Sequence, residues 1–200
     1  MENSHKAEIK YQSNGKTPAG DPFVTVKVAR GYYEYLERGG VDSISFILYN
    51  GDTKQFGLIY ESKPPRDEIE GWEVKMTTAF GGSIDMSENH TFQDICQTEV
   101  AEESGYEVPL DKIISVGKTL VSSQMSQMTE GFLVDVTGIE KTLEAEYEKQ
   151  IPKDEIKPGV NEFAGNKVVW FDADELMDNN DWKSIWIFTK AVYSDIISKD

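Results

Sequence analysis

An Asn-Gly dipeptide set between two apolar runs constrains this chain more than any other feature. Ser43–Asn50 (SISFILYN) is apolar enough for a buried strand, and Gln55–Glu61 (QFGLIYE) is the run that would return beside it. Asn50-Gly51-Asp52 lies between them, and Asn and Gly reach positive φ at little steric cost, so a hairpin is expected. Upstream, Phe23–Val28 alternates and reads as a strand, and Gly31–Glu37 reads as another that ends at Gly39-Gly40. Residues 1–22 are polar and carry Asn14-Gly15, Pro18 and Gly20, so the extreme terminus is expected to be loose. Downstream, Trp72–Phe80 reads as a strand broken by Gly81-Gly82. Ile113–Leu120, Gly131–Val136 and Lys167–Asp172 predict three more.

Two segments carry helical periodicity. In Thr91–Ser104 the residues Phe92, Ile95, Cys96 and Val100 share one face, Thr91 and Asp94 form a capping-box pair, and Gly105 suits the left-handed stop. The last helix begins near Asp181, with Trp182, Ile185, Trp186, Thr189, Val192, Tyr193 and Ile196 as its apolar stripe. Thr142–Gln150 is a candidate short acidic helix. Strands, a central helix, more strands and a terminal helix, in that order, predict an α+β or three-layer mixed-sheet domain.

Charge narrows the partners. Twenty Lys+Arg against 36 Asp+Glu give −16, a field that repels phosphate backbones and anionic membranes. Arginine is confined to Arg30, Arg38 and Arg66. The single cysteine, Cys96, excludes an internal disulfide framework and suits a reducing compartment. The opening MENSHKAEIKYQ has no apolar core of a leader, and no run approaches the length of a membrane span, so a cytoplasmic protein is expected.

The central helix also holds Glu99, Glu102 and Glu103, spaced so that neighbouring turns bring the carboxylates together. Like charges at that spacing repel unless a cation sits among them. Hard oxygen donors grouped this way suit Mg²⁺ or Mn²⁺, which keep waters and hold phosphates. The competing reading is a solvated acidic face.

The stretch GGSIDMSENHTFQDICQTEVAEESGY, from Gly81, resembles the Nudix box, Gly-x5-Glu-x7-Arg-Glu-U-x-Glu-Glu-x-Gly-U, where U is bulky and apolar. Gly82 and Glu88 match its first half, and Glu99 through Tyr106 match its second. There are two departures: nine residues stand where the pattern has seven, and Thr98 takes the Arg position. YYEYLERGG, SISFILYN, YESKPP and the Gly-Gly loop extend the resemblance to the ADP-ribose and nucleotide-sugar pyrophosphatase branch, over roughly residues 23–195.

The resemblance implies an α/β/α sandwich around a mixed sheet, with residues 1–40 as a flexible N-terminus and small antiparallel β segment and 41–200 as the hydrolase domain. It implies Mg²⁺ or Mn²⁺ held by Glu99, Glu102, Glu103 and the Gly81 carbonyl, and hydrolysis of a nucleoside diphosphate-sugar, ADP-ribose first. Glu103 and Glu99 carry the catalysis. Glu162, with Glu155 as second choice, takes the water-activating position, and Glu88 is a weaker candidate. Tyr33, Tyr35, Lys63, Arg66 and Met125 fall where the branch contacts substrate, and a homodimer through the N-terminal strands is implied. In the family the Arg before the first helix glutamate orients that carboxylate; Thr98 offers only a hydroxyl. UDP- or GDP-sugars are the alternative substrates, and a binding module with weak or no turnover is the alternative function.

Overall fold

The computed structural model describes residues 7–15, 20–22, 24–30, 32–38, 42–63, 74–84, 90–142 and 167–197. Its main sheet is built on the expected hairpin. Strand β4 (Ser43–Asn50) turns through residues 51–54 into β5 (Gln55–Lys63), with Asn50 opposite Gln55. Lys54 takes the left-handed conformation at φ 55, and Asn50 Oδ1 accepts from the Asp52 amide at 3.0 Å. Five strands run in the order β10-β5-β4-β9-β8, with β8 at Ile113–Leu120, β9 at Met128–Asp135 and β10 at Lys167–Phe171. Strand β6 (Val74–Thr78) extends β5, and β7 (Phe80–Ser83) lies on β4. The pair β4–β9 is parallel and the others are antiparallel, so the sheet is mixed.

Alternation along β4 and β9 divides the core between the two faces. Ile44, Phe46, Leu48, Phe132 and Val134 meet Cys96 and Val100 of helix α1 (Phe92–Ser104) on one side. Ile47, Leu133, Leu58 and Phe56 meet Leu176 of α2 (Ala173–Met177) and Ile187 and Ala191 of α3 (Trp182–Tyr193) on the other. That is the expected α+β sandwich. The capping box of α1 is complete, with the Thr91 side chain accepting from the Asp94 amide, and Gly105 closes the helix at φ 78. The Thr91 hydroxyl and amide in turn hold the Asp94 carboxyl below its ordinary range. Gln93 and Gln97 donate to the carbonyls of Leu110, Ile113 and Val108, so α1 grips the loop that follows it.

A separate three-stranded antiparallel sheet precedes the main one: β1 (Glu8–Gln12), β2 (Val24–Ala29) and β3 (Tyr33–Arg38), in that order. Strand β1 is a strand that the sequence reading did not mark, while the extreme terminus, residues 1–6, lies outside the described residues. The side chains of β1 are all exposed, and pairing with β2, which burial patterning does not reveal, holds it. The strand expected to break at Gly81-Gly82 breaks at Ala79 instead, and both glycines lie inside the next strand, β7. Gly81 lies opposite Ser45, and a Cβ on it would stand 3.0 Å from the Ile44 carbonyl, so glycine permits the close approach. Helix α2 has no counterpart in the sequence reading. In the last helix, Tyr193 leaves the expected apolar stripe and is 83% exposed.

Candidate active site

Three elements bring the acidic helix to the Gly-Gly strand. Phe46 of β4 stacks flat on Phe80 of β7, with centroids 4.8 Å apart, and this places Gly81 and Gly82 beneath α1. A Cβ on Gly82 would meet the Glu99 side chain, 2.5 Å from Cδ and 2.8 Å from Cγ. The bare Cα of Gly82 is therefore what admits the Glu99 carboxyl. One turn later Glu103 lines a cavity of about 830 Å³ together with Gly81 and Gly82, and its Oε2 is shielded from solvent.

The third carboxylate parts from these two. Glu102 is exposed, whereas Glu99 and Glu103 are half-buried, so the stripe read as one face divides at the sheet. Among the described residues no three His, Cys, Asp or Glu side chains converge as a metal-holding set. What remains is Glu99 against Gly82 and Glu103 in a cavity that Gly81 also lines. That donor set fits a hard divalent cation that retains waters and takes further oxygens from a phosphate.

The Thr98 hydroxyl donates back to the Asp94 carbonyl at 3.3 Å on an exposed position of α1, so it is engaged along the helix. Cys96 is wholly buried in the core; burial first, then the nearby charges of Glu99, Glu130 and Glu103, push its thiol well up, and it stays protonated and inert. Glu130, on the α1 side of β9, is held by the Ser115 hydroxyl at 2.7 Å and by Lys118 at 3.4 Å.

The far wall of the cavity comes from other parts of the chain. Asp181 caps α3, and its Oδ2 also accepts from the Ala79 amide at 2.8 Å, which ties the start of α3 to the β6–β7 junction. Trp182 and Lys183 follow into the lining. The segment 121–127 contributes Val121, Met125 and Gln127. It is joined to the small sheet by a parallel bridge between Leu36 and Met125, with bonds of 2.7 Å from the Leu36 amide to the Gln124 carbonyl and 2.9 Å from the Ser126 amide to the Leu36 carbonyl. This junction brings Arg38 into the lining.

Of the residues singled out in the sequence, Glu103, Gly81 and Met125 therefore line one cavity, with Glu99 packed against its Gly82 wall. Tyr33 and Tyr35 do share a strand face and stack on each other at 6.5 Å. The Tyr33 hydroxyl donates to the Ser123 carbonyl, and neither ring lines the cavity. Lys63 ends β5 through its main chain, opposite Val74. Arg66, Glu88, Glu155 and Glu162 lie outside the described residues. Gln127 belongs to the Gln124–Met128 loop that the resemblance marks as a substrate-contacting loop, and it lines the cavity beside Met125. Arg38, Lys183 and Trp182 are lining residues that sequence reasoning missed. The scarcity of arginine pointed as much to Arg38 as to Arg66; nothing local marked the other two.

Solved structures share this mixed-sheet sandwich. A crystal structure of an ADP compounds hydrolase superposes with a TM-score of 0.57 at 15% identity, over 94% of this chain and 94% of that one. A NUDIX hydrolase from Nitrosomonas europaea gives 0.48 at 14% identity over 79% and 95% of the two chains. MutT from a study of Aliivibrio salmonicida and Vibrio cholerae gives 0.48 at 12% over 76% and 98%. The chain has a Nudix-type fold. No protein-family model matches it, and no curated protein does. Among the described residues no helix is long and apolar enough to cross a membrane.

Proposed function

We propose that this chain is a divalent-metal-dependent pyrophosphatase that hydrolyses the diphosphate of a nucleoside diphosphate-sugar, ADP-ribose first, with UDP- and GDP-sugars next. One observation carries the reading: Glu99 and Glu103, a turn apart, are set against Gly81-Gly82 at the wall of a large cavity. A hydrolase of ADP compounds with the same fold supports it. Glu99, Glu103 and the Gly81 carbonyl would hold Mg²⁺ or Mn²⁺. A bound cation there would lower the pKa of water and offset charge on the phosphoryl oxygens. Arg38 and Lys183 bring positive charge to a strongly acidic protein where an anionic substrate must enter. Glu162 remains the proposed water-activating base, and a cytoplasmic homodimer the proposed state. Phosphate-coupled turnover of a nucleotide-sugar panel with Mg²⁺ or Mn²⁺ tests the activity, and no turnover of any member overturns it.

The engaged Thr98 hydroxyl and the outward Glu102 favour one second reading, a Nudix-fold module that binds nucleotide sugars without turnover. Wild-type turnover separates the two, and Gly82→Ala tests the place of Glu99 in the site. The clash runs along the Glu99 side chain from Oε1 to Cγ, so the Glu99 carboxyl must be displaced, and a thermal melt checks that the fold holds. Mn²⁺ affinity and turnover should fall about ten- to a hundredfold, the usual cost of disturbing the support of a metal ligand. Unchanged values would remove Glu99 from the site.

A further inference from the structure

We infer that Asp181 is a positioning residue for the carboxylate cradle: its side chain sets the Gly81-Gly82 strand beneath Glu99. The inference rests on the pyrophosphatase reading only for what the cradle holds. Ala79 is where the strand changes partner. Thr78 closes the ladder with β5, opposite Ile59, and Phe80 opens the ladder with β4, opposite Phe46, so Ala79 belongs to neither. Asp181 Oδ2 accepts from the Ala79 amide at 2.8 Å, and the same oxygen accepts from the Ser184 amide at 3.1 Å and the Ser184 hydroxyl at 2.6 Å. Capping α3 calls only for the Ser184 amide; the bond to Ala79 is an addition to the cap. Without that acceptor the amide between the two ladders would have to turn toward water, and the strand would move with it. The cradle would feel the movement, because Gly81 and Gly82 follow Phe80 directly and the Glu99 carboxyl fits only against the bare Cα of Gly82. On the other side of the same carboxylate, Trp182 and Lys183 continue into the cavity wall that faces Phe80, Gly81 and Gly82. Three donors commit Oδ2, so Asp181 acts through the strand and not on substrate.

The test compares Asp181→Ser, Asp181→Asn and a matched loss of a cap, Asp172→Ala, which uncaps α2 outside the cavity lining. Serine still caps α3, but its oxygen stands one bond nearer the backbone and withdraws from Ala79. Asparagine keeps an acceptor at full reach. Amide exchange of the metal-free protein, read by NMR, reports the bond itself. Ala79 should exchange about ten- to a hundredfold faster in Asp181→Ser, the range for losing a carboxylate acceptor. Titration with Mn²⁺ alone should show affinity falling about ten- to a hundredfold in the same variant, as when the support of a metal ligand is disturbed. Asp181→Asn should stay within about fivefold of wild type on both readings, since a neutral acceptor replaces a charged one. Asp172→Ala should melt lower and leave both readings at wild type. Asp181→Thr, the other short cap, stands in if the serine variant does not fold. Wild-type exchange or wild-type Mn²⁺ affinity in folded Asp181→Ser would overturn the inference, as would equal losses in the serine and asparagine variants. If the wild type binds no Mn²⁺ or turns over no nucleotide sugar, the pyrophosphatase reading fails. Faster exchange spreading from Ala79 to Gly82 in Asp181→Ser would then still sustain the positioning role, and its absence would end it.

Discussion

Glu103→Gln is expected to slow nucleotide-sugar hydrolysis by at least about a hundredfold, while the melting temperature holds or rises slightly. The carboxylate lines the cavity with one oxygen shielded from water, a position in which a cation gains most from a full negative charge. The amide keeps the shape and removes the charge. A hundredfold corresponds to about 2.7 kcal/mol, within the several kcal/mol that a bound metal supplies to the transition state. Stability should not fall, because Glu99 and Glu103 sit close enough to repel, and neutralising one relieves that repulsion. Glu102→Gln is the matched comparison: its side chain is exposed, and its turnover should stay within about threefold of wild type. The measurement is kcat/KM for the best substrate at saturating Mg²⁺. Near wild-type turnover in Glu103→Gln, or equal losses in the two variants, would overturn the division of the acidic stripe into an inward pair and an outward third.

That division marks where the sequence stops being legible. Local chemistry sets the capping box at Thr91 and Asp94, the stop at Gly105 and the span of β4, and each of these can be read from neighbouring residues. Periodicity also places Cys96 and Val100 in the core. Periodicity cannot say which edge of an acidic stripe meets the sheet, because Glu99, Glu102 and Glu103 differ only by their angle about the axis. The partner decides that: Gly82 has no side chain, and Glu99 occupies the space. The partner of Gly82 in turn depends on β7 pairing with β4, strands more than thirty residues apart. Arg38, two residues past Leu36, lies on the strand that bridges to Met125, a contact between two segments with no shared pattern. Strand β1 carries one alternating pair, Ile9 and Tyr11, but both side chains stay exposed, so no core burial marks it, and its pairing with β2 is what places it.

Phe46→Ala should cost the fold about 3–5 kcal/mol, the range for removing a buried aromatic ring and leaving a cavity that the surroundings fill only in part. Phe46 is fully buried and sits on the strand that pairs with β5, β7 and β9 at once. Its ring lies almost parallel to Phe80, at 6°, and that contact joins β7 to the core. For a chain of this size the loss lowers the melting temperature by roughly 6–20 °C, and against a total stability of about 5–15 kcal/mol it leaves a narrow margin. Ile47→Ala, one residue on, provides the control. Ile47 faces α3 and its removal should cost about 2–5 kcal/mol by the same reasoning. At a temperature where both variants are folded, Phe46→Ala should also lose activity, since Gly81 and Gly82 follow Phe80 directly into the site. Ile47→Ala should keep its turnover per folded molecule. Urea melts paired with kcat/KM measure both effects. Equal activity in the two folded variants would mean that the Phe46–Phe80 stack stabilises the fold without positioning the carboxylate cradle.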